Sequence, residues 1–238
     1  MIDLTKIILS CHQLFTSVCD ANFTNKSNHL KSIQSLMNTK NHLIRVEVMM
    51  SKRIMNSRTV PNLMALCLLR FQKLDSALCV KVNRTSQYKV VSQIFRIISR
   101  LGDGVFWYTV MAGILLAQGQ AGLQAVSHML LAGLTGTLLY KWLKGKTLRP
   151  RPYQMRQDIW LTGKPLDHFS FPSGHTLHAV VFCSVALAYY PSLAWLLMPF
   201  TILVGISRVI LGLHYPSDVV AGAMLGALIA SLSMLVMF

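Results

Sequence analysis

Acidic residues are scarce in this chain: 8 Asp and Glu stand against 23 Lys and Arg in 238 residues, a formal net charge of +15. Charged residues of both signs make up only 13% of the chain, 53% is hydrophobic, and the mean hydropathy is +0.47. A soluble domain carries about a quarter charged residues, so this composition excludes an ordinary soluble protein and indicates a membrane class. Cysteine is sparse and scattered: Cys11, Cys19, Cys67, Cys79 and Cys183 form no CxxC pair and no zinc spacing with His. Neither a disulfide framework nor thiol redox chemistry is expected. The opening MIDLTKIILSCHQLFTSVC lacks a small-residue cleavage site and is broken by His12 and Gln13, so no signal peptide is read there.

What is present is positive charge, unevenly placed. Fifteen of the 23 Lys and Arg precede residue 101, and five of the other eight crowd between Lys141 and Arg151. A cationic surface seeks anionic lipid head groups, nucleic acid or phosphorylated substrates. Residues 1–59 are rich in Asn, Ser, Thr and Lys without sustained periodicity, which reads as a loosely ordered, dispensable basic extension. Residues 60–101 read as membrane-surface segments. VPNLMALCLLRF, 60–71, is too short to span, and 86–101 places Val90, Val91, Ile94, Phe95, Ile98 and Leu101 at helical spacing. The latter is an amphipathic helix suited to lie on a bilayer.

Residues 102–238 carry five apolar segments, at about 104–118, 121–143, 174–190, 193–212 and 217–238. The fold class expected is all-α: a polytopic helical membrane protein, a bundle of about five to six transmembrane helices preceded by an amphipathic surface helix. The joints at 118–122 and 190–193 carry no charge, so the basic residues share the opposite face. Positive charge of this kind marks either a cytoplasmic face or a phosphate site, and both readings stand.

Alternating helix direction brings three polar stretches to that face. KGKTLRPRP holds Lys144 and Arg151, FPSGH holds Ser173, Gly174 and His175, and SRVILGLHYPSD holds Arg208, His214 and Asp218. Ionisable residues at membrane depth are costly and by default functional. Three converging cations demand an anion between them, and phosphate suits Arg forks and a Lys point charge. PSGH adds a helix N-terminus, with Gly174 permitting close backbone approach and the Ser173 hydroxyl one more hydrogen bond. Asp218, in the first turn of the last helix, is placed to take one imidazole N–H of His214 and leave the other nitrogen facing phosphorus. His175 is then the general acid and base, and Lys144, Arg151 and Arg208 neutralise the transition state with no cofactor and no metal.

These segments resemble the three-part signature of the type 2 phosphatidic acid phosphatase superfamily. The match runs from Lys144 to Arg151-Pro152, from Pro172 to His175, and from Ser207-Arg208 through His214 to Asp218. It departs at no signature position and covers roughly residues 100–238. The resemblance implies an integral hydrolase of the bacterial inner (cytoplasmic) membrane, with a phosphohistidine on His214 supported by Asp218. It further implies His175 as acid and base, and Lys144, Arg151, Ser173, Gly174 and Arg208 as phosphate ligands. Family substrates include phosphatidate, prenyl diphosphates such as undecaprenyl diphosphate, and lipid A phosphates.

The expected partners are a phosphorylated lipid substrate and anionic membrane lipids; the basic N-terminal half shows no stacking aromatics or reader fold for nucleic acid. A lipid phosphotransferase using the same histidine is one rival, and a non-catalytic lipid-phosphate binding or transport protein is another. Zinc held by His175, His214 and Asp218 is disfavoured by the neighbouring cations. His128 and His178 are read as structural. Lys141, Lys146, Arg149 and Arg156 are read as head-group contacts, Lys164 and Asp167 as part of a covering loop, and Asp103 as a turn or cap.

Overall fold

A computed structural model describes residues 63–165 and 167–237, which contain helices and no strand. The chain divides into two compact units, Met1–Ala65 and Leu66–Phe238, and the site lies in the second. The extension read over residues 1–59 falls outside the described residues.

The first helix among the described residues, α1 Leu63–Asn83, runs well past the apolar stretch that ends at residue 71. Its periodicity continues in two adjacent stripes. Met64, Leu68, Phe71, Leu74 and Leu78 are exposed, whereas Asp75, Cys79 and Asn83, four residues apart, are buried. The buried stripe follows one loop backwards. Asp75 Oδ1 accepts from Ser217 N (2.9 Å), Cys79 Sγ–H points at His214 O (3.7 Å), and Asn83 Nδ2 donates to Ile210 O (2.8 Å). Over this stretch α1 therefore runs along the loop.

A 3₁₀ turn leads into the amphipathic α2 Lys89–Arg100. Its Ser92 and Ser99 face the protein, while Val90, Ile94 and Ile97 are exposed. Polar groups inside and apolar groups outside is the arrangement that lipid favours. The chain then turns at Gly104, whose φ of 133° an L side chain rarely adopts.

Five helices follow, one for each apolar segment read in the sequence: α3 Phe106–Gln118, α4 Gln120–Thr147, α5 Gly174–Tyr189, α6 Ala194–Ile210 and α7 Pro216–Met237. Among the described residues, three stretches are long and apolar enough to cross a bilayer: Gln120–Met155, Pro191–Ile210 and Pro216–Val236. Helix α5 is about 24 Å long at 1.5 Å per residue, shorter than the hydrocarbon layer. It tolerates the deficit because Leu177, Ala179, Val181, Val185 and Ala186 are buried, with neighbouring helices as its solvent. Helices α4 and α7 pack against it. A Cβ at Gly222 would lie 2.5 Å from Ser173 O, and one at Gly226 2.6 Å from Leu177 O. Glycines four residues apart thus let α7 approach the α5 backbone at the end where the polar motifs meet.

Candidate active site

Each motif arrives from a different element. Lys144 stands in the last turn of α4, and Arg151 caps the helical turn Pro152–Met155. Ser173 caps α5, Arg208 lies in the last turn of α6, and His214 and Asp218 flank the start of α7. The joint between the last motif and PSGH is a backbone bond, Ser173 N donating to Asp218 O at 3.1 Å. Lys144, Arg151, Ser173, Arg208, His214 and Asp218 are all buried.

His214 lies in the loop before α7, beyond the spans. Burial, followed by the positive fields of Arg151, Arg208, Lys144 and His175, pushes its imidazole pKa well below the ordinary 6.5. These fields come from the cations expected to hold an anion. His214 Nδ1 and Arg208 Nε are buried with no hydrogen-bond partner among the described residues. Buried polar atoms left unpaired are rare and costly, and a functional site is where they are expected. Arg208 Nη1 donates to Ser99 Oγ of α2 at 2.5 Å.

The remaining cations are occupied from the loop above. Lys144 Nζ donates to Asp167 Oδ2 at 2.5 Å, and Arg151 Nη2 to Asp167 Oδ1 at 2.6 Å. Arg151 also donates to the main-chain oxygens of Asp167 (3.0 Å) and Leu213 (2.8 Å). Burial alone would raise the Asp167 carboxyl, but Lys144 and Arg151 outweigh it and bring its pKa to about 2. The covering loop thus places a carboxylate against two of the three cations expected to hold phosphate.

Asp218 adjoins His214 without bonding to it. Its Oδ2 is 3.7 Å from His214 Nδ1, too long for a hydrogen bond. Oδ2 instead accepts from Ser170 Oγ–H and from Tyr215 N (2.9 Å), and Oδ1 accepts from Arg149 Nη1 (2.6 Å). His175 Nε2–H donates to Asp103 Oδ1, giving the second histidine a carboxylate of its own. Ser173 Oγ lies 2.9 Å from Thr176 Oγ1, and a Cβ on Gly174 would come 3.4 Å from the Tyr140 ring.

Several residues differ from their reading in the sequence. Arg149 is no head-group contact: it pairs with Asp218 and with Asp75 (2.7 Å), donates to Ser217 Oγ (2.8 Å) and stacks on Tyr215 at 4.2 Å. Arg156 pairs with Asp158 at 2.8 Å. Asp103, read as a cap, faces His175. Asp75, Ser99 and Ser170 received no role, because nothing in their local sequence marks them; they reach the site only by packing. His128 and His178 are structural as expected. The former bonds Tyr189 Oη (3.1 Å) and Ser233 Oγ (2.8 Å), and the latter donates to Gly174 O (2.8 Å).

The PAP2 superfamily profile matches residues 121–238. An undecaprenyl-diphosphatase of Sulfolobus acidocaldarius is 30% identical over 156 residues, which is 64% of this chain and 74% of the relative. Among solved structures, Aquifex aeolicus LpxE aligns with a TM-score of 0.58 at 26% identity, over 66% of this chain and 93% of LpxE. A transmembrane PAP2-type phosphatidylglycerolphosphate phosphatase from Bacillus subtilis aligns with a TM-score of 0.54 at 25% identity, over 95% of this chain and 94% of that one. Helical architecture, three converging motifs and these likenesses agree, and the chain belongs to the PAP2 superfamily of membrane phosphatases.

Proposed function

We propose that this protein is an integral membrane phosphatase that removes phosphate from a lipid phosphomonoester or a terminal lipid diphosphate through a phosphohistidine on His214. The observation that carries the reading is the environment of His214: a buried imidazole, neutral at physiological pH, among Lys144, Arg151 and Arg208 and beside His175.

His214 Nε2, the nitrogen turned away from Asp218, attacks phosphorus while the phosphorus bond to the lipid-side oxygen breaks. His175, bonded to Asp103, gives that oxygen its proton, releasing an alcohol from a monoester or a lipid monophosphate from a diphosphate. The three cations, with the Ser173 hydroxyl and the α5 N-terminus at Gly174, neutralise the equatorial oxygens. Water then attacks the phosphohistidine, His175 accepts its proton, and inorganic phosphate leaves. Asp218 stabilises the cation formed on His214, closing the 3.7 Å separation as charge develops. Fixed cations perform this neutralisation without a metal ion.

The apolar spans suit an amphiphilic substrate, and the names of the similar proteins point to prenyl diphosphates and phosphatidylglycerophosphate as the first lipids to try. The basic residues of the N-terminal half and the apolar edge of α2 hold the protein to anionic lipid, and the bacterial inner membrane is the location that fits these likenesses.

The test is phosphate release by detergent-purified protein, with EDTA present, from phosphatidate, a prenyl diphosphate, phosphatidylglycerophosphate and a soluble sugar phosphate. Release from a lipid that disappears in His214→Ala and under vanadate supports the reading. No release from any of them by folded protein refutes it and favours a phosphotransferase or a binding protein. Dependence on a metal would revive the zinc alternative.

A further inference from the structure

The Arg149 fork is divided. Its Nη1 serves Asp218 Oδ1 (2.6 Å), and its Nη2 serves Asp75 Oδ2 (2.7 Å) on α1. A guanidinium facing one carboxylate ordinarily closes on both of its oxygens, because two parallel N–H···O bonds fit that fork. Here the second carboxylate prevents this. Asp75 is itself held in place: it accepts from Ser217 N at 2.9 Å and from Ser217 Oγ at 2.5 Å, and it is only 5% exposed. Arg149 therefore grips Asp218 through Oδ1 alone, and Oδ2, which accepts from Ser170 Oγ and Tyr215 N, remains on the side of His214 Nδ1.

We propose that Asp75 and Arg149 are positioning residues for the reaction at His214: by drawing away one arm of the Arg149 fork, Asp75 keeps the guanidinium on Oδ1 of Asp218 and off Oδ2, the oxygen on the histidine side that Ser170 and Tyr215 N hold. The inference rests on the phosphohistidine reading above. It makes α1, which precedes the matched region 121–238, a working part of the enzyme. The electrostatics favour the same division. Arg149 between two carboxylates leaves a net negative charge beside His214 when that residue becomes cationic, whereas without the Asp75 charge Arg149 would cancel that of Asp218. Cys79 and Asn83 continue the contact along the loop, through His214 O and Ile210 O, so α1 fixes the backbone that carries the nucleophile as well as its carboxylate.

The experiment measures kcat and KM for dioctanoyl phosphatidate and farnesyl diphosphate, with vanadate inhibition, in wild type, Asp75→Asn, Arg149→Gln, Arg149→Lys and the Asp75→Asn/Arg149→Lys double variant. Asp75→Asn keeps the acceptor for Ser217 N while losing the charge. The expected result is a kcat loss of roughly 10–100-fold in Asp75→Asn and Arg149→Gln, the range for outer partners that aim a functional group. KM and vanadate inhibition stay near wild type, because neither residue touches phosphate. Lysine offers a point charge with no fork to close, so Arg149→Lys retains more activity than Arg149→Gln, and Asp75→Asn adds little to it. Wild-type kcat in Asp75→Asn overturns the proposal, as does an Asp75→Asn loss that is equally large with and without Arg149→Lys. Thermal unfolding in detergent is read alongside; if Asp75→Asn does not fold, wild-type kcat in Arg149→Gln overturns it equally. A wild type that neither releases phosphate nor responds to vanadate refutes the hydrolase reading, whereas an active wild type with fully active variants refutes only the role of Asp75 and Arg149.

Discussion

His214 Nδ1 and Asp218 Oδ2 stand 3.7 Å apart, both fully buried, with the carboxylate bonded to Ser170, Tyr215 N and Arg149 and the imidazole nitrogen unpaired. The pair is assembled but not closed. A neutral imidazole is drawn only weakly to the carboxylate; an imidazole that has attacked phosphorus and become cationic is drawn strongly, so the bond is stronger in the transition state than before it. Asp218→Asn should therefore lower kcat by roughly 10²–10⁴-fold, the scale known for an orienting aspartate in a triad, and leave KM almost unchanged. Steady-state kinetics on the lipid that wild type hydrolyses will check this, and a loss confined to KM would contradict it.

The pKa of His214 lies well below 6.5 in the folded protein, so the free protein keeps this imidazole, the proposed nucleophile, unprotonated into mildly acidic solution. The acid limb of kcat/KM assigned to this group should fall below pH 6.5, and a pH profile across pH 4–8 will locate it. A depressed folded pKa contributes stability above the unfolded value near 6.5, and that contribution is lost as pH falls further. Unfolding in detergent should accordingly become easier below pH 6.5.

Asp167 pairs with Lys144 and Arg151, two of the cations proposed to hold phosphate, so on that reading it should compete with phosphate for them. Asp167→Asn should strengthen inhibition by inorganic phosphate by up to roughly fivefold, the effect of ~1 kcal/mol for a partly exposed ion pair. The depressed carboxyl, at about 2, also means that its stabilising pairing persists down to the ordinary carboxyl range near 3.8 and is lost between there and pH 2. Product-inhibition constants measured near pH 7 will test the competition directly.

Gly222 admits no side chain without displacing Ser173, since its Cβ would meet Ser173 O at 2.5 Å. Gly222→Ala should cost about 1–3 kcal/mol of stability and reduce activity beyond what the lost stability explains, because Ser173 N also bonds Asp218 O. Thermal unfolding and kcat measured on the same preparation separate the two effects.

Much of this was legible from residues alone. Apolar runs longer than a soluble core element needs, with uncharged joints between them, dictated a helical membrane bundle, because lipid leaves the backbone no other partner than itself. The spacing of Lys144, Arg151, His175, Arg208, His214 and Asp218 carried the site, since helices of alternating direction can meet only at shared ends. Tertiary structure decided which polar groups face one another. Nothing in the local pattern separates Arg149 from Lys146, and Asp75 lies in a stretch whose visible feature is its apolar stripe; the two meet across 74 positions of chain. Likewise Asp103 in RLGDG reads as a turn residue until the bend at Gly104 and the packing around it set it beside His175. Local pattern determines what each helix is and which face it hides, but a pairing between distant charges depends on how the helices cross, and packing alone sets that.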